Sequence, residues 1–155
     1  MDDKKFMQRA IELSVENVKN GGGPFGALIV KNGKIISEGT NRVTADHDPT
    51  AHAEISAIRQ AAQKLNTFNL RGCIIYTSCE PCPMCLSAIY WAHLDKVYYG
   101  NTKTDAEKIG FDDSFIYNEL KLDPNNRKLA MKRLLPDEAI LAFEDWKNKE
   151  DKEEY

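Results

Sequence analysis

The chain has 155 residues, of which 42% are hydrophobic and 29% charged, and a formal net charge of −3. This length can bury a core without disulfide staples. No apolar run reaches the roughly 20 residues of a membrane span. The first five residues are not followed by the apolar segment of a signal peptide. The acidic balance is the opposite of that found in most polynucleotide-binding proteins. We therefore expect one cytoplasmic domain over residues 1–155 that binds neither membrane nor nucleic acid.

The first part of the chain has the pattern of a helix followed by a β-hairpin. Apolar residues recur at helical spacing over residues 4–20, and the sequence GGGP at 21–24 ends that helix. Strand-like segments follow at residues 26–30 and 34–39. The Asn-Gly pair between them is typical of a tight antiparallel turn.

Helices and strands alternate in the remainder. The sequence DPT at 48–50 is a helix-start signal that precedes an Ala-rich helix. The predicted elements are a helix over 51–65, a strand over 73–77, a helix over 81–91, a strand over 96–100, and, after a less regular stretch, a strand over 129–135 and a helix over 137–147. This order predicts a three-layer α/β/α fold around a five-stranded mixed sheet.

Residues with metal-ligand chemistry open two of the predicted helices. His52 and Glu54 flank one alanine, and Cys82 and Cys85 lie within the sequence PCPMC. The two cysteines are three residues apart and share a helix face, whereas His52 and Glu54 can serve one site only from a first helical turn. Two helix N-termini would then converge, and their dipoles favour thiolates.

This set of residues predicts a catalytic zinc site. His52, Cys82 and Cys85 supply the three protein ligands of such a site and leave a fourth position for water. Zinc lowers the pKa of that water from ~15.7 toward ~7, and Glu54 remains free to carry protons. The pattern His-x-Glu followed by Pro-Cys-x-x-Cys is the signature of zinc-dependent nucleobase deaminases.

Two non-enzymatic interpretations stay open. A Cys-x-x-Cys pair at a helix start is also the pattern of a redox site. A structural zinc would need a fourth closed ligand, which Cys73 or Cys79 could provide, but it leaves Glu54 without a role. We expect both of these cysteines to pack in the core, and His47 and His93 to be ordinary loop or helix-end residues.

The chain resembles the cytidine deaminase superfamily over nearly its whole length, and within it the small zinc-dependent bacterial guanine deaminases. The matching stretches are GPFGA at 23–27, Asn41, DPTAHAE at 48–54, YTSCEPCPMC at 76–85, AIYWA at 88–92, GFDDSFIY at 110–117 and the final Glu154-Tyr155. The last two are the most selective for this branch, whereas residues 121–133 and 147–152 do not match closely.

The resemblance implies hydrolytic deamination of guanine to xanthine and ammonia, with a zinc-activated water and Glu54 as the proton shuttle. It implies a substrate-binding set of Asn41, Phe25, Trp91, Asp113 and Tyr155. The Asn41 amide would bond the purine ring, the aromatic rings would line the pocket, and Asp113 would accept from ring N–H groups. Plain core packing for Phe25 and Trp91 and a loop or helix-cap role for Asp113 remain the alternatives.

The resemblance also implies a homodimer in which the C-terminal segment, about 136–155, is exchanged between subunits and Tyr155 covers the partner's pocket. An acidic tail is otherwise usually solvated and disordered. The zinc motif is shared with other deaminases, so guanosine, cytosine, a triazine such as ammeline, and tRNA adenosine remain alternative substrates. A structural zinc or redox module is the non-enzymatic alternative.

Overall fold

The structure is a computed structural model that describes residues 2–155. Its elements in chain order are α1 (Asp3–Lys19), β1 (Gly26–Lys31), β2 (Lys34–Thr40), α2 (Val43–Asp46), α3 (Ala53–Leu65), β3 (Cys73–Cys79), α4 (Pro83–Trp91), β4 (Lys96–Asn101), α5 (Lys103–Lys108), α6 (Ser114–Leu120) and α7 (Pro136–Asn148). A short 3-10 helix at Pro124–Asn126 precedes α7.

The strands form one mixed sheet in the order β2-β1-β3-β4. β1 pairs antiparallel with β2 and β3, whereas β3 and β4 are parallel and are therefore joined by a crossover, which contains α4. The β1–β2 turn has positive φ angles at Asn32 and Gly33, 50° and 73°, as the expected Asn-Gly hairpin turn requires.

Two clusters of buried apolar side chains lie on opposite faces of the sheet. Successive side chains of a strand point to opposite faces, so Leu28 contributes to one cluster and Ile29 to the other. Ala10 of α1 packs in the first cluster, and the alanines of α3 together with Ile89 of α4 pack in the second. The expected three-layer α/β/α fold is confirmed.

The α3 helix lies unusually close to β2. A Cβ atom placed on Gly39 would lie 2.7 Å from the backbone nitrogen of Ala57 and would also meet the carbonyl oxygen of Ala53. Ala53 and Ala57 are themselves fully buried, so small residues on both elements permit the approach. This contact fixes the first turns of α3 against the sheet.

The sheet has four strands over the described residues rather than the expected five. The segment 129–135 has no regular structure. Its leucines are mostly solvent-exposed, Leu134 at 81%, so they bury neither face of a strand. Leu135 adopts a left-handed conformation, φ 52°, and serves as the N-cap of α7. An extended strand cannot continue through that residue.

The chain divides into two compact units, one that ends at Ser114 and one over Phe115–Tyr155. The first contains the whole sheet, and no residue of the second is buried. The expectation of a single domain over residues 1–155 remains a prediction. None of the helices described for residues 2–155 has the length and apolar character needed to span a membrane.

Candidate metal centre

The N-termini of α3 and α4 carry the expected metal ligands. His52 and Cys82 are the N-cap residues of these helices, both with extended backbone and without a side-chain capping hydrogen bond. Their imidazole and thiol are therefore not used to cap the helix. Glu54 and Cys85 follow within the first turns.

Both helices begin two residues later than the sequence patterns indicate. Asp48 does not cap α3; its Oδ1 accepts from the backbone N–H and the hydroxyl of Thr50, at 2.8 and 2.7 Å, and closes a local turn. Pro83 rather than Pro81 occupies the start of α4, where the fixed φ of proline suits a helix. The expected convergence of two helix N-termini is nevertheless present.

The ligand atoms have the spacing of a zinc site. His52 Nδ1 lies 3.5 Å from Cys82 Sγ and 3.5 Å from Cys85 Sγ, and the three atoms lie within 4.8 Å of one another. Tetrahedral zinc with bonds of about 2.0 Å to nitrogen and 2.3 Å to sulfur requires N···S separations of about 3.5 Å. The donor set and its spacing therefore fit zinc with three protein ligands.

Of the two cysteines, Cys82 loses its proton easily and Cys85 retains its own. The Cys85 thiol shares its one hydrogen between Cys82 and Glu54. Its hydrogen bond to Cys82, together with the hydrogen bond between Cys82 and His52, lowers the pKa of Cys82 to about 4. The same hydrogen bond and burial raise the pKa of Cys85, and the bond to Cys82 raises that of His52. A thiolate beside an imidazole and a second sulfur is a suitable site for a cation.

Glu54 is buried beside these ligands but lies outside their cluster. It is 6% exposed, and its Oε2 accepts from Cys85 Sγ at 3.4 Å. Its Oε1 lies 3.3 Å from the Thr77 hydroxyl, which also donates to the Cys79 carbonyl at 3.0 Å. Burial raises the pKa of Glu54, which favours uptake of a proton. The carboxyl group therefore suits proton transfer better than metal binding.

The remaining cysteines and histidines do not join the cluster. Cys73 and Cys79 are buried at the two ends of β3, and burial raises the pKa of both, that of Cys79 to about 11. Cys79 Sγ faces the carbonyl of Thr102 at 3.7 Å. His47 and His93 occupy left-handed backbone positions. The described residues thus offer three ligands, not the four of a closed structural site.

Four of the five expected substrate residues lie in the same compact unit as the metal ligands, and three of these, Asn41, Phe25 and Asp113, are partly buried. Asn41 directly follows β2, and Phe25 directly precedes β1, where its ring meets Phe111 edge-on with centroids 5.0 Å apart. Burial raises the pKa of Asp113, and the negative charges of Cys82 and Glu80 raise it further. Its neighbour Asp112 instead accepts from the Ser114 backbone N–H at 2.8 Å and closes a local turn before α6.

The other two substrate residues are exposed. Trp91, the last residue of α4, is 66% exposed, so ordinary core packing does not account for it. Tyr155 is 75% exposed and belongs to the second unit. Their roles in substrate binding remain predictions.

Three further residues near these groups were not expected from the sequence. Thr77 contacts Glu54, Phe111 contacts Phe25, and Asn17 bonds the backbone of Asn41 at 2.9 Å. Thr77 and Phe111 lie within stretches that match the deaminases but received no role there, and Asn17 lies in no matching stretch. Their roles depend on partners far along the chain.

Comparison with known proteins identifies the family. Residues 1–101 match the model of the cytidine and deoxycytidylate deaminase zinc-binding region. The chain belongs to this deaminase family. The family match and the three-ligand site confirm the expected zinc cofactor, and all three ligands and Glu54 fall within the matched residues.

Relatives within the deaminase family differ in how much of this chain they match. The guanine deaminase of Bacillus subtilis (strain 168) is 50% identical and covers 100% of both chains. The X-ray structure of guanine deaminase from Bacillus subtilis has a TM-score of 0.97 over 100% of this chain and 99% of that one. A structure of guanine deaminase from Nitrosomonas europaea has a TM-score of 0.67 at 36% identity, over 70% and 64% of the two chains. A tRNA-specific adenosine deaminase of Aquifex aeolicus (strain VF5) is 41% identical over 64% of this chain and 66% of that protein.

Proposed function

We propose that this chain is a zinc-dependent guanine deaminase that hydrolyses guanine to xanthine and ammonia. The supporting observation is the 50% identity to the Bacillus subtilis guanine deaminase over the full length of both chains. The similarity to the Aquifex aeolicus tRNA-specific adenosine deaminase covers only 64% of the chain. Deamination of tRNA adenosine is therefore the less favoured alternative.

The reaction exchanges the amino group on C2 of guanine for the oxygen of a water molecule. Zinc, when bound by His52, Cys82 and Cys85, would supply a Lewis acid that lowers the pKa of that water. The Glu54 carboxylate accepts one proton from the water and delivers it to the purine ring, and it then transfers the remaining hydroxyl proton to the exocyclic amine. The C2–N bond breaks, a C2=O bond forms, and ammonia leaves. Burial of Glu54 supports this role, because it raises the affinity of the carboxylate for the proton.

Recognition of the base would rest on hydrogen bonds and aromatic contacts. Within residues 2–155, Asn41 Oδ1 accepts from the Val43 backbone N–H at 3.2 Å, whereas Asn41 Nδ2 has no partner. That N–H pair can donate to a purine acceptor, and Asp113 can accept from ring N–H groups. Phe25, Trp91 and Tyr155 would provide the aromatic surface. A site built on such bonds discriminates strongly, because a wrong base leaves polar groups unpaired.

The proposed partners are a small purine base and a second copy of the chain. The proposed location of the protein is the cytoplasm. Residues 115–155 contain a two-helix segment in which no residue is buried. An exposed apolar helix of this kind usually covers another surface. We infer that the segment about 136–155 is exchanged between two subunits and that Tyr155 completes the partner's pocket.

An assay of ammonia release tests the proposed function. The panel contains guanine, guanosine, cytosine, adenine, ammeline and an RNA stem-loop with an unpaired adenosine. We expect guanine to exceed adenine and cytosine by at least about 100-fold in kcat/KM, since a mismatched edge leaves buried polar groups unpaired. Removal of zinc with a chelator should abolish the activity and added zinc should restore it. Faster release from cytosine or from the RNA than from guanine would overturn the assignment.

A further inference from the structure

Asn17, on the last turn of α1, ties together the two segments that carry Phe25 and Asn41. Its side-chain Nδ2 donates to the Gly23 carbonyl at 2.8 Å and to the Asn41 carbonyl at 2.9 Å. Both amide hydrogens are thus used. The Asn41 backbone N–H in turn donates to the Phe25 carbonyl at 3.2 Å. One side chain therefore fixes the loop before β1 to the residue after β2.

The side chain of Asn41 is held in one orientation within this arrangement. A Cβ atom on Gly23 would lie 3.2 Å from Asn41 Cγ, so the amide packs directly on the glycine. Its Oδ1 is engaged by the Val43 N–H at 3.2 Å. Rotation of the amide would break that bond. The Nδ2 group is therefore the end of the amide that remains available to a ligand.

Helix capping does not account for the Asn17 side chain. The end of α1 is satisfied by backbone bonds, in which Gly22 N–H donates to the Asn17 carbonyl at 2.8 Å and Asn20 N–H to the Glu16 carbonyl at 3.1 Å. The Asn17 amide instead reaches residue 41, 24 positions away in the sequence. Its two bonds act on the loops and not on the helix.

We propose that Asn17 is a positioning residue that strengthens guanine binding in the purine pocket without touching the base. It fixes the backbone of Asn41 and of the loop before Phe25, and through them the direction of the Asn41 N–H donors. This inference rests on the proposed guanine deaminase function. Loss of the two donors leaves the metal ligands in place but lets the Asn41 amide move.

The test uses Asn17→Asp, which keeps the shape and removes both donors, and Asn17→Ala as a second variant. Asn20→Ala is the matched control, because Asn20 lies in the same helix end and is exposed. We expect KM for guanine to rise about tenfold in both Asn17 variants, since a hydrogen bond contributes up to about that factor. The expected change in kcat is less than about threefold, with unchanged zinc content. When Asn41 is already alanine, substitution of Asn17 should change the KM for guanine much less, because the effects of substitutions at coupled residues are not additive.

A second measurement separates this inference from the proposed function. Hydrogen exchange at the Asn41 and Val43 amides should accelerate in Asn17→Asp and not in Asn20→Ala, whatever the substrate is. Unchanged hydrogen exchange at these amides in Asn17→Asp would overturn the positioning role. An unchanged KM for guanine in the Asn17 variants would also overturn it, and so would a KM increase of the same size when Asn41 is already alanine. If the unmodified protein did not deaminate guanine, the proposed function would be refuted. Accelerated exchange in Asn17→Asp would then still support the role of Asn17 in positioning Asn41.

Discussion

At the scale of single residues, the burial and the neighbours of Glu54 favour a role as proton acceptor. Glu54 contacts Cys85 and Thr77 but lies outside the ligand cluster, so zinc binding should not require it as a ligand. Glu54→Gln preserves the shape of the side chain and removes the proton acceptor. We expect the variant to keep most of its zinc and to lose activity by about 10²–10⁴-fold, the usual contribution of a general base. Metal analysis and ammonia release on the same preparation measure the two effects.

A ligand variant provides the contrast to Glu54→Gln. The Cys82→Ala, Cys85→Ala double variant should lose both zinc and activity, because one imidazole cannot hold the metal. Cys79→Ala is the control, since that thiol faces the Thr102 carbonyl and should affect neither. Joint loss of zinc and activity in Glu54→Gln would make Glu54 a ligand and contradict the assignment.

The metal site could be predicted from the sequence because local geometry determines most of it. Cys82 and Cys85 share a helix turn, and His52 precedes Glu54 at another helix start. Thr77 and Asn17 could not be predicted in this way. Their contacts with Glu54 and Asn41 span 23 and 24 positions, and only the folded sheet brings them together.

At the scale of elements, the close approach of α3 to β2 holds the metal site against the sheet. A methyl group on Gly39 would meet the backbone of Ala53 and Ala57, which cannot move as a flexible side chain can. We expect Gly39→Ala to reduce stability by about 1–3 kcal/mol through overpacking. Because the displaced turn follows His52, zinc affinity should also fall. Thermal unfolding and zinc competition titration measure both effects.

The hairpin turn offers a matched control for Gly39→Ala. Gly33 also lies in the hairpin, but nothing lies within 4 Å of a Cβ placed there, and its φ of +73° suits asparagine. Gly33→Asn should leave zinc affinity unchanged. If Gly39→Ala bound zinc as tightly as the unmodified protein, contact with β2 would not determine where α3 begins.

The sequence patterns identified the major helices and the first residues of all four strands, but they did not give the first residues of α3 and α4 or the short helices. The first residues of α3 and α4 depend on which side chain caps the helix, and Asp48 formed a local turn instead. The short helices α2, α5 and α6 contain too few turns for a visible apolar period. Residues 129–135 have a strand-like composition, yet none of their side chains is buried.

At the scale of the whole molecule, the second unit exposes an apolar surface. The large apolar residues of α7 are exposed, Phe143 at 73%, and the chain ends on the exposed Tyr155. A helix retains such a face when it packs against another surface. The acidic run before Tyr155 would by itself remain solvated. In the homodimer proposed above, a second copy of the chain would bury α7 and receive Tyr155 at its purine pocket.

Deletion of residues 152–155 tests this arrangement. The deletion removes no metal ligand and no residue of the sheet, so zinc content and thermal unfolding should match the full chain. Loss of Tyr155 should expose the reacting base to water, and we expect guanine turnover to fall by about tenfold or more, as when a closing segment is lost. Tyr155→Phe is the milder companion variant, which keeps the aromatic contact and removes the hydroxyl. Full activity of the truncated chain would refute the lid, and sedimentation of the intact chain as a monomer at assay concentration would refute the exchange between subunits.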